Sequence, residues 1–253
     1  EMNKIHLLNL LQISIMKKKD LFIFIIIVNI LSATGQTNHT QTISPFDTNY
    51  GLDQDIYSGI KYYSEHTPVK GHPFWKEDAN MNCTIKYNNK LYKNLIAKYN
   101  IYSNLLILKL PENTGLSHYI ILDNNKIDTF WIPRKTFVIN EELKAEPTIT
   151  QIVYSKNISC YYNWYKDYTF ENSAFYTGHQ YSDDLRKCFL TINNHIYRYT
   201  NNKSFIKAFP KSIKKDLKKY MHKNKIKVKK DIESKIILLL EYCDDALETK
   251  KNL

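Results

Sequence analysis

Cys83-Thr84-Ile85-Lys86-Tyr87-Asn88-Asn89-Lys90-Leu91-Tyr92 is the stretch whose reading decides the fold class. Apolar and polar residues alternate through Tyr87, two asparagines interrupt, and the alternation resumes. Period-two alternation marks a half-buried strand. Asn accepts positive φ better than any residue except Gly, which the centre of a tight hairpin requires. The figure recurs at Ile120-Ile121-Leu122-Asp123-Asn124-Asn125-Lys126-Ile127 and at Leu190-Thr191-Ile192-Asn193-Asn194-His195-Ile196-Tyr197. Three such turns predict an antiparallel meander. Its first register is open: a two-residue turn sets Ile85 opposite Tyr92, whereas a three-residue loop sets Cys83 opposite Leu95.

Outward from this stretch, Leu105–Leu110 is a nearly continuous apolar run, as in a strand covered on both faces. Tyr119–Leu122 and Ile127–Ile132 are expected to form the next hairpin, stopped by Pro133. Further strands are expected at Thr148–Tyr154, Ser159–Tyr165, Lys187–Ile192 and His195–Tyr199. The character changes at Lys203. After Pro210, Ile213, Leu217, Tyr220 and Met221 recur at helical spacing, and a second helix starts near Asp231 with Ile232, Ile236, Leu239, Leu240, Cys243 and Leu247 on one face. The predicted class is α+β: an antiparallel β-meander or partly closed barrel followed by two C-terminal amphipathic helices. Residues 57–253 read as one domain, β-rich over 57–200 and a helical cap over 203–250.

Met16-Lys17-Lys18-Lys19, the apolar run Leu21–Leu31 and the small residues Ser32–Gly35 have the form of a secretory signal peptide. Residues 1–15 then read as an upstream extension and 36–56 as a polar leader. Export, to a periplasmic or secreted location peripheral to the outer membrane, is the expectation, with no transmembrane helix left after cleavage.

The 253 residues carry a formal charge of +11. Twelve lysines and one acid, Asp216, fall within 203–230, so this segment alone accounts for +11 and the basicity is local. Lys211, Lys214, Lys215, Lys218, Lys219, Lys225 and Lys227 are the candidate binding residues, because a basic amphipathic helix attracts anionic surfaces. Arginine, the residue of bidentate phosphate and base reading, occurs only at 134, 186 and 198, so specific nucleic-acid recognition is not expected. Among four cysteines, Cys160 and Cys188 are the candidate disulfide, and Cys243 reads as a buried thiol on a helix face.

Catalytic motifs are missing. Six glycines, at 35, 51, 59, 71, 115 and 178, build no P-loop, dinucleotide fingerprint or nucleophile elbow. No catalytic residue, metal ligand or cofactor is expected. His66 and His72 frame one loop, and Asp183-Asp184 and Asp244-Asp245 are doublets whose neighbours point apart. The run Tyr161-Tyr162-Asn163-Trp164-Tyr165-Lys166-Asp167-Tyr168 reads as strand packing first and as a surface for sugar rings second.

Gly35-Gln36, Gly71-His72-Pro73-Phe74, Tyr87–Tyr92 with Lys98-Tyr99-Asn100-Ile101-Tyr102, and Lys203-Ser204 with Phe209-Pro210 make the chain resemble a group of uncharacterised exported proteins of Bacteroidota. The resemblance implies an envelope or secreted setting and no activity. The leading expectation is a non-catalytic binding or scaffold protein of the cell envelope, partnered by other envelope proteins. A peripheral binder of anionic surfaces or polyanions through the Lys-rich helix is second, and a hydrolase with an unidentified site third.

Overall fold

The computed structural model describes residues 53–66, 69–77, 79–111, 118–140 and 148–251. All belong to the compact unit Asp53–Leu253. The expected extension, signal peptide and most of the leader lie outside the described residues. The last leader residues do not: Ile56, on the short helix α1 (Gln54–Tyr57), is buried in the core, and the Asp53 carboxylate that caps this helix meets Lys90.

Among the described residues, thirteen strands follow: β1 (Ile60–Lys61), β2 (Met81–Tyr87), β3 (Lys90–Asn100), β4 (Leu105–Lys109), β5 (Tyr119–Ile121), β6 (Ile127–Ile132), β7 (Lys135–Asn140), β8 (Thr148–Ser155), β9 (Ile158–Tyr165), β10 (Tyr168–Asn172), β11 (Thr177–Tyr181), β12 (Leu185–Ile192) and β13 (His195–Tyr199). Eleven pair in one sheet of order β1-β5-β4-β3-β2-β6-β7-β8-β9-β12-β13, every ladder antiparallel, with β10–β11 a separate ribbon. The sheet ends on β1 and β13 and is open rather than closed into a barrel. Helices α2 (Asn202–Lys207), α3 (Lys211–Lys223) and α4 (Glu233–Lys251) complete the chain, three where two were expected.

The first hairpin uses both of the registers open in the sequence. Asn88 and Asn89 sit at φ 50° and 61°, a two-residue turn that places Ile85 opposite Tyr92. A bulge then intervenes, with Asn94 at φ 56°, and Cys83 comes opposite Leu95. The extra residue, on β3, turns Leu95 onto the core face that Cys83, Ile85 and Tyr87 already share. Asn193 and Asn194, at φ 50° and 60°, repeat the turn between β12 and β13.

The Asn124-Asn125 copy is different, and the expected hairpin across it does not form. Residues 124–126 make one 3-10 turn, capped by the Asp123 carboxylate on the Asn125 amide at 3.0 Å, while Asn124 Nδ2 donates to the Asn104 carbonyl. β5 stays beside β4, and the chain crosses back so that β6 pairs with β2. Asp before the asparagines supplies a helical cap that the other two copies lack. Pro133 ends β6 at Ile132 as expected, and Pro133-Arg134 is a tight turn, with Arg134 at φ 63°, into β7.

A column of rings forms the core beneath β3, β6, β7 and β9. Phe130 and Phe137 stack at 4.8 Å, and Tyr99 and Trp75 both meet Phe137 edge-on. Trp75 arrives from the loop Gly71–Trp75, anchored by its amide on the Tyr99 carbonyl at 2.8 Å. Trp164 extends the column from β9, edge-on to both Trp75 and Tyr162. In α3, Ile213, Leu217 and Met221 are buried, about 1.5–3 kcal/mol of favourable transfer for each side chain. Ile236, Leu239, Leu240 and Cys243 do the same for α4. Asp244 fastens α4 to the β8–β9 hairpin, accepting from Tyr154 Oη at 2.7 Å and the Ile158 amide at 3.1 Å. No helix among the described residues is long and apolar enough to cross a membrane.

Candidate functional site

Where the aromatic column reaches the surface, it floors a cleft of about 640 Å³. That volume suits a ligand of small-molecule size. Trp75 and Trp164 lie at its base, Asp184 and the first β12 residues Leu185 to Cys188 form one wall, and the connector residues Lys229–Ile232 with Glu233 at the start of α4 form another. Alternation along β12 sets Arg186 across from Trp164. Its guanidinium lies 4.3 Å over the Tyr162 ring, and Nη2 reaches the carbonyls of Lys229 and Asp231 at 3.4 Å. A guanidinium held over a ring and tethered to two carbonyls has its remaining donors restricted in direction.

The acidic residues that border the cleft are already engaged. Asp184 accepts the Lys76 amide at 2.8 Å and faces the buried Lys166 ammonium at 3.5 Å. Asp231 accepts the Lys227 amide at 2.7 Å and pairs with Lys235 at 3.1 Å. The Lys227 amide, foremost, holds its carboxyl below the usual carboxylate range. Glu233 meets Lys135 and takes Gln151 Nε2 at 2.8 Å, and Gln151 Oε1 accepts Trp164 Nε1 at 2.9 Å. This relay fixes the indole and consumes the negative charge.

The basic residues that border the cleft, apart from Lys135, are not so matched. Lys76, Arg186, Lys187, Arg198, Lys229 and Lys230 have no carboxylate partner among the described residues. The Lys76 ammonium sits 5.5 Å over Trp75 and 5.2 Å over Trp164, and Trp75 Nε1 is a buried donor with no partner. Several positive charges over an apolar floor in a concave wall focus a field that concentrates anions.

The candidate binding lysines of the sequence lie elsewhere. Lys211, Lys215, Lys218, Lys219, Lys225 and Lys227 are exposed and Lys214 is half-buried, all on α3 or the connector, and none borders the cleft. Cys160 and Cys188, expected as a pair, are free thiols, as are Cys83 and Cys243, and all four are buried. On β9 and β12, Cys160 faces Leu190 and Cys188 faces Tyr162, a diagonal offset, and the Tyr199 hydroxyl approaches Cys160 Sγ at 3.4 Å. Burial pushes the Cys160 thiol up to about 12. His66 stacks on Tyr168 and His72 on Phe74, and no cluster of metal-binding side chains occurs among the described residues.

Trp164 belongs to the aromatic run that the sequence offered second as a surface for sugar rings, whereas Arg186, Arg198 and Trp75 were not singled out as a site, yet a signal existed in their scarcity. All three arginines and all three tryptophans border one of two clefts. Arg134 and Trp131 line the second, of about 400 Å³. No protein family, curated protein or solved structure matches this chain.

Proposed function

We propose that this chain is an exported, non-catalytic binding protein of the cell envelope that captures an acidic ligand in the cleft floored by Trp75 and Trp164. One observation carries the reading: the carboxylates bordering the cleft are engaged, whereas Arg186, Arg198 and four lysines there lack a carboxylate partner among the described residues. An anion entering the cleft supplies the missing charge and finds the fixed guanidinium of Arg186 for a charge-assisted hydrogen bond. Export rests on the signal-like segment 16–35, and the likeness to exported Bacteroidota proteins agrees with it. The non-catalytic reading is supported by the same pairing, since Asp184, Asp231 and Glu233 are engaged as structural acceptors. A scaffold role with other envelope proteins is compatible with ligand capture.

Two of the three tryptophans floor the cleft, so their fluorescence reports its occupancy. Titration with small carboxylated, sulfated and phosphorylated sugars should give saturable quenching by at least one class. Arg186→Gln should weaken binding by about 10–100-fold, the equivalent of one hydrogen bond to a charged group. A neutral sugar binding as well as its acidic counterpart, or Arg186→Gln leaving affinity unchanged, would sink the reading.

A further inference from the structure

The cleft does not end at Arg186. Its outer wall, Lys229 and Lys230, belongs to the connector that also carries the exposed Lys225 and Lys227. That connector continues without interruption from the last turn of α3. We infer that the ligand is an acidic polysaccharide, carboxylated or sulfated, with a few sugar units seated in the cleft and the chain continuing along the connector onto the lysine face of α3. This inference rests on the anion-binding reading of the cleft and extends it to a ligand class.

Three observations select a polymer and this chemistry. A molecule that only fills about 640 Å³ makes no use of the α3 lysines, because the helix runs about 20 Å over its thirteen residues. Lys211, Lys215, Lys218 and Lys219 nevertheless stand exposed there with a single acid, Asp216, among them, and without a carboxylate partner among the described residues. An anionic membrane surface fits less well, since the apolar stripe of α3, Ile213, Leu217 and Met221, is spent on the core and offers nothing to insert. Single-stranded nucleic acid also fits less well. It needs open ring faces for base stacking, and Lys76 sits over both indoles of the floor. The ammonium and guanidinium groups that line the cleft suit a ligand that repeats a pendant carboxylate or sulfate.

The test compares length at constant chemistry. Galacturonate and chondroitin sulfate fragments, each as a short form of three or four units and a long form of about twelve, are titrated against the full chain in about 50 and about 200 mM salt. The short fragment of the preferred chemistry should bind, lose about tenfold or more with Arg186→Gln, and ignore replacement of Lys211, Lys215, Lys218 and Lys219 by Gln. The long fragment should bind about tenfold tighter or better, with a steeper salt dependence, and the fourfold Lys→Gln variant should erase that gain. Equal affinity for short and long fragments, or a length gain that survives the fourfold variant, overturns the polymer inference and leaves the cleft reading standing. Failure of every fragment to bind overturns both. Tighter binding of a twelve-nucleotide oligothymidylate, or of phosphatidylglycerol vesicles, than of any saccharide overturns the polysaccharide assignment.

Discussion

Asp244→Ala should be among the most damaging single substitutions in the helical cap. The side chain is only 3% exposed and serves two donors, Tyr154 Oη at 2.7 Å and the Ile158 amide at 3.1 Å. Hydrogen bonds to an ionised group contribute about 1.5–3 kcal/mol each, so the two together contribute about 3–6 kcal/mol. Alanine also relieves the cost of burying a carboxylate, which offsets part of that sum. It leaves a buried amide and a buried hydroxyl unpaired, however, so the net loss should be about 3 kcal/mol. For a folded unit of this size the loss corresponds to a drop in Tm of about 6–12 °C. Asp244→Asn, which keeps one acceptor oxygen, should lose about half as much. Tyr154→Phe removes one donor and should cost about 1.5–2 kcal/mol. Urea denaturation of the two single variants and the double variant closes a thermodynamic cycle, with an expected coupling of about 1–1.5 kcal/mol. A cost for Asp244→Ala below about 1 kcal/mol, or strict additivity with Tyr154→Phe, would refute the claim that this carboxylate pins α4 to the β8–β9 hairpin. The consequence reaches the cleft, because α4 begins at Glu233 in its wall.

The three Asn-Asn pairs should respond unequally to alanine. Asn89→Ala and Asn194→Ala should each cost about 1–2 kcal/mol in urea melts, since both residues hold positive φ. Asn125→Ala should cost well under that, and equal losses at all three positions would contradict the different turn at Asn125. Asp231 predicts an acid response of the connector. Its carboxyl is lower in the folded state than the unfolded value of about 4, so its hold on the Lys227 amide is complete above that pH and is lost as pH falls through the lowered folded value. Hydrogen exchange at the Lys227 amide should accelerate below about pH 4 beyond its intrinsic rate, and Asp231→Asn should remove this dependence. A connector whose protection is flat through that range would show that Asp231 does not hold it.

Much of the sheet was legible because its determinants are local. Alternation at 83–87 needs only the period of a strand, the short apolar and aromatic runs at 159–165 and 187–192 need only β propensity, and the Asn88-Asn89 and Asn193-Asn194 turns need only the φ tolerance of asparagine. The misreadings also have local causes. Asn124-Asn125 looks like its two counterparts, but Asp123 caps a helical turn and the next strand, β6, leaves to pair with β2, three places from β5 in the sheet order. β10 and β11 were not read from the sequence: each is only five residues long, Gly178 interrupts the second, and the ribbon stands apart from the main sheet, with Phe170 exposed. The registers left open at Cys83 were settled by a bulge, which only the demand of the core for both Ile85 and Leu95 could select.

The sequence by itself determined that Asn88-Asn89 closes a hairpin, that the class is α+β with helices at the C-terminal end, and that positive charge concentrates in 203–230. Each is a statement about neighbours along the chain. Tertiary structure alone decided which charges remain unmatched. Asp184 and Glu233 find their cations, Lys166 and Lys135, only by folding, whereas Asp231 takes Lys235 four residues along the chain; Trp75 and Arg186 come to border one cleft from more than a hundred residues apart, and the α3 stripe is consumed by the core while its lysines stay outside. Ion pairing and burial depend on distance in space, and that is why the cleft belongs to the fold rather than to any stretch of the sequence.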